Sequence, residues 1–305
     1  MNMKDEIYMY FNDLMSSAWQ WDLIALNLLL STLLIFVFKF QIGYSHSVSV
    51  HDEIAEKDNP AFGITLGMSF LSFFLIMSAA STGNDRVSYT EEIVLMISYG
   101  LAGMLMLAIS KVIFDKISMK NFCLQEEIRK RNIAASIVEG SNILATALIV
   151  FTYMGWVKGV QLETILVVVY GWFVSQLLLS LVSFIRAKIY RNKDGSSLQD
   201  AIKNDNIAVA IRYSAYKLSF ALTPLIASVN YLFEEGRGLL VATEIFVSAI
   251  LLSIIITLLT AVIKHVVIPK VDFGDEINSQ RNIGMAVIEA SIVLGITYLC
   301  FGLLK

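Results

Sequence analysis

The sequence predicts an all-α membrane protein of eight transmembrane helices arranged as four parallel two-helix repeats, and three observations carry that expectation. The 305 residues are 56% hydrophobic and only 16% charged, too apolar for one soluble core. Apolar runs near the ~20 residues needed to cross a bilayer recur along the whole length. They lie at about 22–40, 60–80, 92–114, 133–155, 163–187, 207–231, 239–266 and 283–304. One phrase, centred on Asn59, Asn132, Asn206 and Asn282, returns at intervals of 73, 74 and 76 residues, which marks internal repeats.

Taken in order, the first twenty residues place Ile7, Tyr8, Phe11, Leu14, Met15 and Trp19 at helical spacing. This predicts an amphipathic helix on the outer membrane surface, or else a partner-binding arm. No cleavable signal peptide is evident, so the first span is expected to act as its own insertion signal. Of the three prolines only Pro224 falls inside a span, which predicts mostly unbroken helices.

Each loop between an odd and an even span carries an acid six residues before its asparagine: Glu53, Glu126, Asp200 or Glu276. Asn59 is followed by Pro60, an N-cap ahead of the residue best tolerated at the first helical position. The same capping role is expected of Asn132, Asn206 and Asn282, with the acids near the positive helix ends. Four helix N-termini converging on a ligand is the alternative. Small residues stand two, four and eight positions after each asparagine, the last set being Gly67, Gly140, Ser214 and Ala290. Such ridges let helix backbones approach closely in lipid, so the even-numbered helices are expected to pack centrally. A narrow path would use the same ridge.

Orientation follows from the basic residues. Lys39, Lys111, Lys116, Arg129, Lys130, Arg131, Arg186, Arg191 and Lys264 are among many in the loops after odd-numbered spans. The opposite side has Lys4, Arg86, Lys158, Arg237 and Lys305. The positive-inside rule then places the repeat loops in the cytoplasm and both termini outside. The formal charge of −3 suggests no nucleic-acid partner.

Four ionisable residues fall inside spans: Glu139, Glu289, Arg212 and Lys217. Each costs at least a few kcal/mol at mid-bilayer unless paired or wetted. The two acids and two bases are expected to meet in the bundle interior, at least as one Glu–Arg pair, with Asn142, Tyr213 and Tyr216 completing the hydrogen bonds. The cluster is either a static lock or the lining of a polar cavity whose carboxylates bind or relay a cation or proton. Glu139 and Glu289 mark repeats two and four alone, which suggests a duplicated four-span unit with halves of about 1–158 and 159–305. A second set of acids, Asp22, Glu92, Glu163 and Glu244, lies at the outer ends of odd spans. They either stabilise helix dipoles or draw cations to an outer mouth.

Enzyme signatures are missing: there is no phosphate-binding loop, metal-spaced histidine cluster or nucleophile elbow. His46, His51 and His265 read as solvated or interfacial, and Cys123 and Cys300 as neither disulfide nor metal ligands. No catalytic role, cofactor or metal is therefore expected.

The phrases EEIRKRNIAASIVEGS and AIKNDNIAVAI resemble those of the YjfL-type bacterial inner-membrane proteins, built from a four-span unit holding two such phrases. Here nearly the whole chain is similar, as two fused copies, departing where Pro60 follows its asparagine and where cations enter the third repeat. The resemblance implies a multi-pass inner-membrane location and, through the family's links to envelope-stress genes, a cytoplasmic membrane-remodelling partner. It brings no activity with it. The leading expectation is a small-ion channel or transporter-like protein in the lipid bilayer, with Glu139 and Glu289 meeting a small cation or proton. The competing one is a scaffold whose loops at 115–131 and 188–205 recruit a soluble partner.

Overall fold

The computed structural model describes residues 3–81, 88–157, 162–190 and 192–304, with side chains from Trp21 onward, and every regular element among them is helical. Arg86, Lys158, Arg191, Lys305 and the side chains of the first twenty residues lie outside the described residues, as does the boundary expected at 158. The long helices are α1 (Met3–His46), α2 (Pro60–Ser81), α3 (Tyr89–Ile113), α5 (Ile133–Trp156), α6 (Leu162–Ile189), α8 (Ile207–Ser228), α9 (Gly238–Val267) and α11 (Ile283–Leu304). Between them stand three short helices, α4 (Leu124–Arg129), α7 (Leu198–Lys203) and α10 (Phe273–Asn278), and two π-helical turns at Asp52–Glu56 and Phe114–Ser118.

Among the described residues seven helices are long and apolar enough to cross a membrane: all the long ones except α8. The exception has a plain cause. Arg212, Lys217, two tyrosines and a scatter of hydroxyl side chains lower the hydropathy of α8, although its 22 residues match α2 and α11 in length. It is nonetheless deeply enclosed, with Ala208, Tyr213, Lys217, Ser219 and Thr223 all buried. Pro224 does not break it. A proline leaves the carbonyl four residues back without its helical partner, and the Thr223 hydroxyl donates to that oxygen, on Phe220, at 2.9 Å.

The polar segment expected to lie separately on the outer surface is instead continuous with the first span. No glycine or proline interrupts the sequence before Gly43, so nothing ends the helix early.

Helices α2, α5, α8 and α11 form a row in which each packs on the next. Helix α3 covers the groove between α2 and α5, α6 that between α5 and α8, and α9 that between α8 and α11, while α1 lies on α2 and α3. Glycines set the close approaches. A Cβ on Gly140 would collide with Met68, one on Gly171 with the Tyr153 ring, and one on Gly103 with Ile76. Burial falls from the middle of the row outward: 78% of the apolar stretch of α5 is buried, against 44% in α2 and 22% in α11. The outward faces carry Leu28, Leu33 and Phe40 on α1, Leu166 and Leu177 on α6, and Leu251 and Leu258 on α9, all exposed and suited to lipid contact.

Candidate functional site

The four asparagines share one local geometry. Each follows a short helical turn and a residue of positive φ, Asp58 (47°), Arg131 (69°), Asp205 (52°) or Arg281 (57°), which reverses the chain into the long helix. Each Oδ1 then accepts a main-chain N–H of the first turn: Ala61 at 3.1 Å and Phe62 at 3.2 Å, Ala135 at 2.8 Å, Val209 at 3.2 Å, and Met285 at 3.1 Å. That satisfies N–H groups a helix start would otherwise leave without partners.

The Nδ2 groups reach further than the sequence suggests. Asn59 donates to Ile128 O at 3.0 Å, Asn132 to Ile202 O at 3.0 Å and Lys203 O at 2.9 Å, and Asn206 to Asn278 O at 3.2 Å. Each asparagine thus ties its loop to the next one along the chain. Asn282 is the exception and donates to its own Glu276 at 2.9 Å. Of the other loop acids, Glu53 is buried and binds Asn59 and Lys57, both at 2.8 Å. Burial pushes its carboxyl up, and these two bonds outweigh that effect, leaving it below the usual carboxylate value. Asp200 closes a capping box with Ser197, and Glu126 is exposed.

Glu139 is fully buried on α5. Its carboxylate is paired with Lys111 of α3 and lies 3.5 Å from His46 Nε2 at the end of α1. Neither partner is one that sequence reasoning offered. Lys111 is part of α3 instead of a cytoplasmic loop, and His46 is 2% exposed instead of solvated, with its ring edge-on to Phe62 at 5.5 Å. Among the described residues neither Arg212 nor Lys217 makes an ion pair with Glu139: Arg212 pairs with Glu289, and Lys217 lies against Phe114 and Tyr213. Beside His46 and Lys111 opens a cavity of about 920 Å³ at the loop end of the molecule, lined also by Gln41, Ser69, Asp115 and Gln125.

Glu289, also fully buried, holds the equivalent position on α11. It is held by Lys264 of α9 at 2.7 Å, by Arg212 of α8 at 3.0 Å and by the Tyr216 hydroxyl at 2.8 Å. Arg186 stacks over the Tyr216 ring at 3.8 Å. The groove between α6, α8 and α9, which corresponds to the open cavity of the first half, holds about 300 Å³ and is walled mainly by Leu178, Leu181, Ile250 and Ile254.

Lys217 joins neither carboxylate. Its ammonium lies 3.7 Å from the Phe114 ring centre and 3.4 Å from the Tyr213 hydroxyl, which in turn meets Ser183 at 2.6 Å. A cation over an aromatic face, with hydroxyls around it, is a dry substitute for an anion. Asn142 is buried on α5. Of the outer acids, Glu163 accepts the N–H groups of Gly236 at 2.9 Å and Gly238 at 3.2 Å, capping α9. Glu92 is buried in the first turn of α3, and Glu244 is half-buried in the second turn of α9. Asp22 lies far inside α1, where it accepts the Tyr89 hydroxyl at 3.2 Å and has no helix terminus to stabilise.

The chain matches the family described as Domain of Unknown Function (DUF350) three times, over residues 11–154, 88–227 and 160–304. Each match spans two asparagine phrases, so the internal repetition belongs to the family as well as to this chain. The chain is 31% identical over 120 residues to the UPF0719 transmembrane protein of Aquifex aeolicus (strain VF5), a stretch covering 39% of this chain and 43% of that relative. The chain thus spans less than half the length of that relative. No solved structure matches.

Proposed function

That this chain belongs to the DUF350 family, a multi-pass membrane family with internal repeats, is the premise from which we propose that it exchanges a proton or small cation at Glu139. On this reading α8 is an eighth span, and the protein is four parallel units, each a span into the cytoplasm, a capped loop and a span out. The concentration of basic residues around the loops supports a bacterial inner-membrane location with both termini outside.

One observation carries the choice of site: the residues that hold Glu139 line a large cavity with several polar side chains, whereas the groove beside Glu289 is smaller and walled mainly by apolar ones. Glu289 has two cations and a hydroxyl on it, and serves as a lock. Glu139 has one cation and a histidine, and both of these line the 920 Å³ cavity. His46 Nδ1 makes no hydrogen bond among the described residues. An imidazole so placed takes a proton from cavity water at Nδ1 and releases one from Nε2 to the Glu139 carboxylate. Lys111 limits the charge left on the site when the proton leaves.

The lock at Glu289 favours a second reading, a non-transporting scaffold whose loops at 115–131 and 188–205 meet a cytoplasmic partner. Flux in proteoliposomes separates the two. Protons, sodium and potassium are tested singly on the parent and on Glu139→Gln and His46→Phe. Proton or cation flux lost in Glu139→Gln, in a variant that stays folded, supports exchange. Absence of flux for all three ions in the folded parent refutes it.

A further inference from the structure

Three times within the chain one unit joins the next by the same loop contact and by packing of successive long helices, and the matching faces at the two ends of the series stay exposed. At the loop end, Asn59, Asn132 and Asn206 each donate to the carbonyl four residues before the following asparagine. Between the helices, Met68 of α2 seats against Gly140 of α5, and Ser214 of α8, the counterpart of Gly140, bonds to Ile137 O of α5. Farther along, Ser219 of α8 meets Thr297 of α11 at 2.6 Å.

The fourth unit presents the donor half of this junction on an exposed face. Asn59 uses one N–H on Glu53 and the other on the next unit. Asn282 repeats only the first of these, with Glu276. On α5 the face that meets its successor includes Ser141 and Ala145, and on α8 Ala215 and Ser219, all buried. Their counterparts on α11, Ser291 and Gly295, are exposed, and no atom lies within 4 Å of a Cβ built on Gly295.

The first unit presents the acceptor half. Gly67, the counterpart of Gly140, is exposed, with no atom within 4 Å of a Cβ there. Ala55 stands where Ile128, Ile202 and Asn278 offer their carbonyls, and it too is exposed.

We propose that the open ends meet in a second copy of this chain, α11 of one packing on α2 of the next and Asn282 reaching the Ala55 carbonyl. The occupant follows from continuity: this junction already exists three times inside the chain, with donor and acceptor ends that match. Small residues permit the close approach in lipid, and a repeat series without capping ends extends by stacking. The contact is heterologous, so it closes into a ring or continues as a row. The inference rests on the four-unit reading, which reporter fusions test separately, and is independent of ion exchange.

The test uses the full chain with Cys123 and Cys300 replaced by serine and alanine, carrying Gly67→Cys together with Ser291→Cys. Oxidation in native membranes is expected to yield cross-linked multiples of 34.0 kDa, absent from either single variant. A folded double variant that gives no cross-link overturns the proposal. A single variant that cross-links as strongly as the double also overturns it, since that reports like faces meeting. If the cysteine background does not fold, particle mass in lipid nanodiscs decides. The parent is expected as a multimer and Gly295→Phe, whose site is open in the single chain, as one chain. A parent of single-chain mass, or one carrying only lipid or a different polypeptide, overturns the proposal, as does an unchanged multimer in Gly295→Phe.

Discussion

Replacing Asn132 by alanine removes three bonds at once: the cap to Ala135 and the two links to Ile202 and Lys203 of the next loop. Loss of an N-cap costs about 1 kcal/mol, and each neutral hydrogen bond about 1 kcal/mol net. Because Asn132 is buried, water does not readily replace these bonds, and the loss is expected at about 3 kcal/mol. Asn282→Ala removes the cap and one bond to a carboxylate within its own loop, for about 2 kcal/mol. Asn132→Asp separates the contributions, since aspartate caps as well as asparagine but has no N–H to donate and brings a negative charge to two carbonyls. It is expected to destabilise at least as much as the alanine variant. Equilibrium unfolding in mixed micelles reads the three variants against the parent. An Asn132→Asp protein as stable as the parent, or an Asn282→Ala loss exceeding that of Asn132→Ala, would refute the idea that these side chains join successive loops.

Other perturbations test other parts of the structure. Glu289→Gln leaves Arg212 and Lys264 both facing a neutral group, so it is expected to cost about 3–5 kcal/mol; Arg212→Gln, which leaves Lys264 and Tyr216 on the carboxylate, should cost less when measured by the same unfolding. Gly140→Val and Gly171→Val force side chains into Met68 and the Tyr153 ring and are each expected to lose about 1–3 kcal/mol, seen as a lower thermal midpoint. The Ser197 hydroxyl and N–H hold the Asp200 carboxyl below its ordinary value of 3.8. A depressed carboxylate stabilises above its unfolded value and loses that contribution as pH falls through the folded one, so amide exchange in α7 should accelerate below about pH 4. In Ser197→Ala, which removes one of the groups that depress this carboxyl, the acceleration should be smaller.

The asparagine phrase is legible in sequence because a cap demands a residue type at a fixed place, and four helices demand it four times. The tie from one loop to the next is not, since Nδ2 is received by main-chain carbonyls of Ile128, Ile202 and Asn278, which carry no mark of residue identity. Arg212 beside Glu289 belongs to the readable part: charges within spans require partners, and few exist. The environment of Glu139 is unreadable for two reasons. Lys111 lies near the end of an apolar run and counts equally well as part of the positive-inside signal. His46 sits in the polar string GYSHSVSV, and only the packing of α1 against its neighbours encloses it. Helix α8 reverses the usual cue, because hydropathy drops it while the repeat interval finds it.

The polarity of α8 also bears on how the protein is made. On insertion scales an arginine or lysine at the centre of a span opposes entry by about 2.5–3.5 kcal/mol, and α8 carries both Arg212 and Lys217. The hydroxyls and ring that receive Lys217 come from α3, α6 and α8 itself, already synthesised. The carboxylate that neutralises Arg212 is on α11, which leaves the ribosome after α8 and α9. Between those moments α8 holds an unanswered cation. On the eight-span reading its residence in the membrane is then provisional until α11 arrives, so a chain cut short after α9 should surrender α8 to quality-control proteolysis while α2, α3 and α5 stay inserted.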